Sequence, residues 1–147
     1  MSLKAKLMED MKAAMKEKDT IRKNAIQMVR AAILQVEKDQ KIELDDEGII
    51  EVIAKEYKKR NDALVEIEKS DRQDLIDDLK REISILKSYL PEQLSDEELE
   101  KIVDEVILEV GASSMKDMGK VMGAIIPKVK GRADNGRISA IAREKLK

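Results

Sequence analysis

The sequence of 147 residues contains no cysteine, no histidine, no tryptophan and no phenylalanine. A chain without cysteine forms no disulfides and no thiolate metal sites, and this fits a reducing compartment, so we expect a cytoplasmic protein. The commonest general base and the commonest soft nucleophile are also missing, because histidine and cysteine supply them. We therefore expect no catalytic residue, no metal site and no cofactor, and the composition does not indicate that the chain is an enzyme on its own.

Aromatic residues and long apolar runs are also scarce. Tyr57 and Tyr89 are the only aromatic residues, so nothing in the sequence indicates a platform on which bases could stack. No apolar run approaches the roughly 20 residues that span a membrane. The N-terminus also lacks the apolar segment of a signal peptide. We expect no membrane partner.

Charge is abundant and unevenly distributed. Charged residues make up 41% of the chain, and the net charge is only −2. Residues 111–147, however, contain nine basic and three acidic residues, a net charge of +6, which leaves −8 for residues 1–110. A basic tail on an acidic body indicates a polyanionic partner for the tail. The alternative is that the tail docks internally on its own acidic body.

Apolar residues recur at intervals of three and four along most of the chain, as in amphipathic helices. Nothing alternates with period two, so we predict an all-α fold without a sheet. The pattern predicts seven helices, with residues 39–48 as a connection between the second and the third. The third and fourth could run nearly continuously, because no turn rich in glycine or proline separates them. We expect Leu75, Leu79, Ile83, Leu86 and Leu90 on the inner face of the fourth.

Capping residues locate the helix boundaries. Asp19 or Thr20, Asp45 or Asp46, Ser70 or Asp71, Ser95, Ser114, and Asp134 or Asn135 can each begin a helix, and Gly111 can end one. The clearest boundary is Leu90-Pro91, because proline moves the preceding residue out of helical geometry. We predict two helical parts, residues 1–90 with a long third and fourth helix and residues 91–147 with three helices.

The stretch from Ser113 to Asp134, SSMKDMGKVMGAIIPKVKGRAD, departs from this regular pattern. Gly119 and Gly123 lie inside a helical pattern, where each costs about 1 kcal/mol relative to alanine. Such a pair four residues apart indicates that another helix or a ligand approaches the backbone closely. We predict close helix packing, so that Gly123→Leu would overpack the unit. Pro127 breaks or kinks this helix.

Six cations of the basic tail are the candidate nucleic-acid-binding residues: Lys128, Lys130 and Arg132, supported by Lys116, Lys120 and Arg137. They suit phosphate contacts that position a nucleic acid without reading its bases. The N-terminus of the last helix offers free N–H groups nearby, although Asp134 would compete for them. If the cations instead pair with the acidic helix 96–109, their mutation would change stability and not binding.

Three other patterns have a simpler structural explanation. Ser113 and Lys116 match the S-x-x-K nucleophile pattern, but a serine before an apolar stripe is typical of a helix cap. Four methionines, Met15, Met115, Met118 and Met122, could line a peptide groove, and core filling is the favoured interpretation. The run Lys58, Lys59 and Arg60 is typical of a solvated helix face.

Three segments together resemble a known family. They are SSMKDMGKVMGAIIPKVKGRAD, LPEQLS at residues 90–95, and LMEDMKAAMKEKDTIRKNAIQMVRAAI at residues 7–33. The sequence resembles the YqeY-like (GatB/YqeY) family over essentially its whole length. That family is similar to the C-terminal tail of the B subunit of the glutamine-dependent tRNA amidotransferase, a domain thought to contact tRNA. The residues that match the tail are Met118, Gly119, Val121, Met122, Gly123, Pro127, Lys128, Gly131, Arg132 and Ala133.

The resemblance implies two small helical domains joined by a partly helical linker, with a long linker helix within residues 1–90. It also implies a tRNA-binding or tRNA-amidotransferase-associated accessory protein, with tRNA and an amidotransferase or synthetase component as partners. Proteins of this family carry by similarity the label of a carbon–nitrogen ligase with glutamine as amido donor. The amidotransferase's own catalytic domain has no counterpart in this sequence, so we expect no transamidation by the isolated chain. The alternative function is a helical protein–protein interaction module that binds no nucleic acid.

Overall fold

The computed structural model of the protein describes residues 2–147, which are folded almost entirely into α-helices and contain no β-strand. This confirms the predicted all-α class. The seven helices are α1 (Leu3–Lys16), α2 (Thr20–Gln40), α3 (Asp46–Ile67), α4 (Gln73–Lys87), α5 (Asp96–Val110), α6 (Met118–Lys128) and α7 (Asn135–Leu146), with a 3-10 turn at Met115–Asp117. The chain divides into two compact units, Met1–Leu90 and Pro91–Lys147.

In the first unit, α1 packs on α2 and α3 packs on α4. One apolar cluster joins the helices, because each contributes its buried stripe. Its buried members are Leu7, Ile26, Val29, Ile33, Ile49, Val52, Ile53 and Leu86, with Tyr57, Tyr89 and Leu90 packed at its edge. The core is therefore aliphatic with tyrosines at its margin, as the composition requires.

The prediction that α3 and α4 run nearly continuously is wrong. A turn at residues 68–72 separates them, and α4 folds back along α3. The hydroxyl of Ser70 donates to the Ile67 carbonyl at 2.7 Å, and this satisfies a carbonyl at the end of α3. Folding back also lets Leu86 reach the cluster that contains Ile53. A long continuous helix would leave both apolar faces in water.

Two further details of this region differ from the prediction. Neither Ser70 nor Asp71 caps α4, because its N-cap residue is Arg72, which makes no side-chain capping bond. Leu75 is 38% exposed and Ile76 is buried, so the inner stripe of α4 begins one residue later than predicted. Helix α2 continues to Gln40, which shortens the predicted connection at 39–48.

The second unit has its own apolar core, formed by α5, α6, α7 and the segment that precedes α5. The buried residues are Leu94, Leu99, Val103, Val106, Val121, Ile125, Val129, Ile138, Ala142 and Leu146. Helix α6 runs through Pro127 to Lys128, so the proline lies in its last turn and does not break it earlier. Pro127 has no N–H to donate to the Gly123 carbonyl, so α6 lacks one backbone hydrogen bond in its last turn.

The predicted caps largely form. The side chains of Asp19, Asp45, Ser95, Ser114 and Asp134 each accept a hydrogen bond from a backbone N–H in the first turn that follows. Gly111 ends α5 with a φ of 67°, the left-handed conformation that glycine adopts without strain. No helix in residues 2–147 combines the length and the apolar character that a membrane crossing requires.

Candidate nucleic-acid interface

Gly119 and Gly123 lie on an exposed face of α6, and the prediction that they permit close helix packing is wrong. A Cβ atom added at either position would have no neighbour within 4 Å, apart from the helix's own nearby backbone. The core-facing stripe of α6 contains Val121 and Ile125, both fully buried. The two glycines lie on either side of Val121 in the sequence and face away from the core. The sequence left two interpretations of this glycine pair, a packed helix or a ligand close to the backbone. The open space at both glycines excludes the packed helix and leaves the ligand.

Two lysines border this open face. Lys116 precedes Gly119 by three residues and Lys120 precedes Gly123 by three, and both lysines are exposed. Within residues 2–147, neither has an ion pair within 4 Å. We use the name bare face for Lys116, Gly119, Lys120 and Gly123. It combines positive charge with a backbone that no side chain covers.

The turn that begins the bare face is fixed by Asp117. Its carboxylate accepts a hydrogen bond from the Ser113 backbone N–H at 2.9 Å, and the Ser114 hydroxyl accepts from the Lys116 N–H at 3.4 Å. Backbone hydrogen bonds from Ser113 and then Ser114, aided by the charge of Lys120, hold the pKa of Asp117 below its usual range. The Ser114 hydroxyl therefore caps the 3-10 turn that leads into α6, whereas Ser113 contributes only its backbone N–H.

Two of the six candidate cations help hold the second unit together. The Arg132 Nε donates to the Glu92 carbonyl at 3.1 Å. The Arg137 guanidinium donates to the Leu94 carbonyl at 3.2 Å and to the Asp96 carboxylate at 2.5 Å. The Leu94 N–H in turn donates to the Arg132 carbonyl at 2.9 Å. The segment before α5 is thus tied to the α6–α7 connection by Arg132 and to the first turn of α7 by Arg137.

Gly131 completes this connection. Its φ of 75° lies in the left-handed region, which a side chain would strain. Its carbonyl accepts a hydrogen bond from the Gln93 side chain at 2.7 Å. The close approach that the sequence suggested at Gly131 is therefore made by the chain itself.

The other cations of the tail are exposed or form pairs with acidic side chains of α5. Lys128 lies 3.0 Å from the Glu109 carboxylate, and Lys145, outside the predicted set, lies 2.9 Å from Asp104. Lys130 is exposed. At the start of α7, Asp134 accepts from the Gly136 N–H at 2.7 Å, so part of the predicted anion-binding terminus is already occupied.

The first unit contains a polar cluster that the sequence did not reveal. The Tyr89 hydroxyl donates to the Asp10 carboxylate at 2.5 Å, Lys6 lies 2.9 Å from the same carboxylate, and Arg22 lies 3.7 Å from it. Burial raises the pKa of Asp10, but the hydrogen bonds from Tyr89 and Lys6 and the two cations outweigh it, and the pKa is lowered. Burial and the bond to Asp10 raise the pKa of Tyr89. Tyr89 and Asp10 lie 79 positions apart, and nothing in the sequence indicates that they are in contact.

Two predictions about side chains need correction. Arg60 does not belong to a solvated face with Lys58 and Lys59, because it is only 7% exposed and contacts Glu56 and Met28. Among the methionines, Met118 and Met122 pack against the core of the second unit, whereas Met15 and Met115 are 54% and 42% exposed. Core filling therefore explains only half of that set.

No group of three or more acidic side chains in residues 2–147 is arranged to hold a metal ion.

The fold and the sequence together define a small all-helical protein. Its second unit contains ten basic and eleven acidic residues, a net charge of −1, and the positive charge is concentrated in residues 111–147. The sequence profile of the Yqey-like protein family matches residues 4–146. The chain belongs to the YqeY-like family.

Individual relatives fall into two groups. The chain is 28% identical over 132 residues to the mitochondrial protein "Altered inheritance of mitochondria protein 41" of Pyrenophora tritici-repentis, covering 87% of this chain and 71% of the relative. It is 35% identical over 113 residues to the protein of the same name in Kluyveromyces lactis, covering 74% of this chain and 60% of the relative. A 57-residue match, 40% identical, connects it to the E subunit of the glutamyl-tRNA(Gln) amidotransferase of Thermococcus gammatolerans, covering 36% of this chain and 9% of that relative.

Proposed function

We propose that the protein is a tRNA-binding accessory protein that works beside a tRNA amidotransferase or synthetase component and carries out no transamidation itself. The second unit is the binding part. The short match to one amidotransferase component supports this association, although the chain spans only 9% of that relative's length. The activity of the whole relative is therefore not assigned to this chain.

The observation that carries the proposal is the bare face of α6. Lys116 and Lys120 supply positive charge there, and the open backbone at Gly119 and Gly123 lets a sugar–phosphate chain come close. Phosphate contacts supply most of the sequence-independent affinity for nucleic acids. No base-stacking aromatic residue is present in the second unit, so we expect recognition of shape and backbone more than of sequence.

The six candidate cations divide into two roles under this proposal. Lys116 and Lys120, with Lys128 and Lys130 beyond them, contact phosphates directly. Arg132 and Arg137 contribute positive charge but also support the segment before α5, as their carbonyl contacts indicate. Replacing either arginine therefore lowers stability together with affinity, and is a poor test of binding.

The experiment measures binding of total tRNA to the full chain by fluorescence anisotropy. We expect Lys116→Ala with Lys120→Ala to weaken binding about tenfold or more while the melting temperature stays within a few degrees of wild type. The matched control is Lys12→Ala with Lys16→Ala, which removes the same charge, at the same spacing of four residues, from exposed positions of α1. No binding by the wild type would overturn the function. Equal losses in both double variants would overturn the site and favour charge alone.

A protein-interaction module without a nucleic-acid ligand is the competing function. It predicts no tRNA binding at low salt and capture of an amidotransferase or synthetase component through the same face.

We also propose a cytoplasmic location, in line with the absence of cysteine. Fractionation of cells with an antibody against the protein tests this, because the fungal relatives are named as mitochondrial.

A further inference from the structure

Helix α5 concentrates negative charge beside the basic elements of its own unit. Residues 96–110 contain seven acidic residues and one basic residue, a net charge of −6. Three of the acidic side chains contact cations of α6 and α7: Asp96 contacts Arg137, Asp104 contacts Lys145, and Glu109 contacts Lys128. Two of these cations, Lys128 and Arg137, belong to the candidate binding set.

The pairs are arranged regularly and are not scattered contacts. Asp96 and Asp104 lie eight residues apart on α5, and their partners Arg137 and Lys145 lie eight apart on α7. The two helices therefore run parallel with matched registers. Asp96 meets Arg137 near the start of both helices, and Asp104 meets Lys145 about two turns later. Glu109 does the same for the last residue of α6.

All three pairs are open to solvent. The side chains of Asp96, Asp104 and Glu109 are 80%, 59% and 57% exposed. Exposed ion pairs add little to stability, so the apolar core of the unit does not depend on them. The cations are less exposed, at 45% for Lys128, 38% for Arg137 and 27% for Lys145, so Lys128 is the one that a phosphate group reaches most easily if the carboxylate gives way.

We propose that Asp96, Asp104 and Glu109 are internal competitors that occupy cations of the binding surface and so limit its affinity for a phosphate backbone. The inference rests on the proposed function. A nucleic acid must displace the carboxylates from Lys128, Arg137 and Lys145, and it must also approach α5 against its negative charge. The fully available cations are then Lys116 and Lys120 on the bare face, which make the first contacts.

The consequence is a gain of affinity on mutation. An exposed pair is worth about 0.2–1 kcal/mol, which corresponds to up to about fivefold in an equilibrium constant. We expect Glu109→Gln to strengthen tRNA binding by about two- to fivefold, and the triple change of Asp96 and Asp104 to Asn and Glu109 to Gln by about tenfold or more. The dependence of affinity on salt should not weaken, because no phosphate-contacting cation is removed.

Controls separate competition from a general change of charge. Glu100→Gln and Glu105→Gln remove the same charge from exposed positions of the same helix, and neither carboxylate has an ion pair within 4 Å among residues 2–147. We expect each control to change affinity less than Glu109→Gln does. The effect of Glu109→Gln should also disappear in a Lys128→Ala background, because the cation that it releases is absent.

The outcomes distinguish this inference from the proposed function. If wild type binds tRNA but Glu109→Gln and the triple variant bind no more tightly, the inference is wrong and the function stands. If the controls strengthen binding as much as Glu109→Gln, the effect is long-range charge and competition at Lys128 is wrong. If neither wild type nor the triple variant binds, both the function and the inference fail. Melting temperatures of each variant, expected within a few degrees of wild type, exclude unfolding as the cause.

Discussion

Glu56 and Arg60 form the one buried charged pair within residues 2–147, and they lie one turn apart on α3. The Arg60 guanidinium donates to the Glu56 carbonyl at 3.0 Å and approaches its carboxylate at 3.5 Å. The Arg60 Nε has no hydrogen-bond partner. A buried pair with an unsatisfied donor adds little stability of its own, but removing one partner leaves an uncompensated charge.

This gives the first prediction. Glu56→Ala should lower the unfolding free energy by about 3 kcal/mol, whereas Glu56→Leu combined with Arg60→Met should stay within about 1 kcal/mol of wild type. Urea unfolding followed by circular dichroism measures both. Asp62→Ala, which breaks the exposed pair with Lys58, is the matched control and should cost less than about 0.5 kcal/mol. A double variant as unstable as Glu56→Ala would show that the pair itself stabilises the unit.

The second prediction concerns Tyr89 and pH. The pKa of Asp10 is lowered in the folded state, so its contribution is complete above the unfolded value of about 3.9 and is lost as the pH falls through the folded pKa. The pKa of Tyr89 is raised, so its contribution is complete below about 10 and is lost as the pH rises through the folded pKa. Both contributions are present at pH 7.

Tyr89→Phe should therefore lower the unfolding free energy at pH 7 by about 1–2 kcal/mol, because the charged Asp10 carboxylate loses the hydrogen bond that the Tyr89 hydroxyl donates. The difference from wild type should shrink as the pH falls from 7 to 3, because the stabilisation that comes with the lowered pKa of Asp10 is lost below its unfolded pKa of about 3.9. Urea unfolding at the two pH values measures this. Tyr57→Phe is the control, because the Tyr57 hydroxyl makes no hydrogen bond within residues 2–147. An equal difference at both pH values would mean that Asp10 is not the partner that matters.

At the scale of the element, α6 places its stability and its proposed function in opposition. Glycine inside a helix is destabilising by about 0.5–1 kcal/mol relative to alanine. At Gly123 no packing explains the glycine, because an added Cβ would meet nothing within 4 Å. The glycines of the bare face therefore lower the stability of α6, and no packing contact within the unit compensates for this loss.

The third prediction follows from this opposition. Gly123→Ala should raise the unfolding free energy by about 0.5–1 kcal/mol and at the same time weaken tRNA binding, because the added methyl group keeps the sugar–phosphate chain from the backbone. Thermal unfolding and anisotropy on the same preparation measure the two effects. A destabilised variant would mean that the face is packed. A stabilised variant with unchanged binding would remove the glycines from the interface.

Elements were more predictable from the sequence than contacts. The stripe and cap of α5 were evident because Ser95 and Gly111 are local signals whose effects are complete within one turn. The turn between α3 and α4 was missed because it lacks glycine and proline, and only the packing of Leu86 against the opposite helix requires it. The orientation of Gly119 and Gly123 was also missed, since a pair of glycines four apart fits a packed face and an open face equally well.

At the scale of the molecule, the candidate cations of the basic tail have different roles according to their positions in the fold. The six candidate cations could be named from the sequence because their excess over acidic residues is a matter of counting. Their separation into exposed lysines and supporting arginines could not, because it depends on the carbonyls of Glu92 and Leu94, about 40 residues away. We propose that the two compact units are separate domains and that the second one alone carries the binding surface.

Salt dependence of tRNA binding tests the central claim most directly. The affinity of the wild type and of Lys116→Ala with Lys120→Ala should be measured from about 50 to 200 mM salt, the range over which phosphate contacts change affinity strongly. We predict that the logarithm of the wild-type affinity falls steeply with the logarithm of salt concentration. The double variant should have a slope smaller by about two units, one for each lost phosphate contact. Identical slopes for the two proteins, or a wild-type affinity that does not change with salt, would contradict the account.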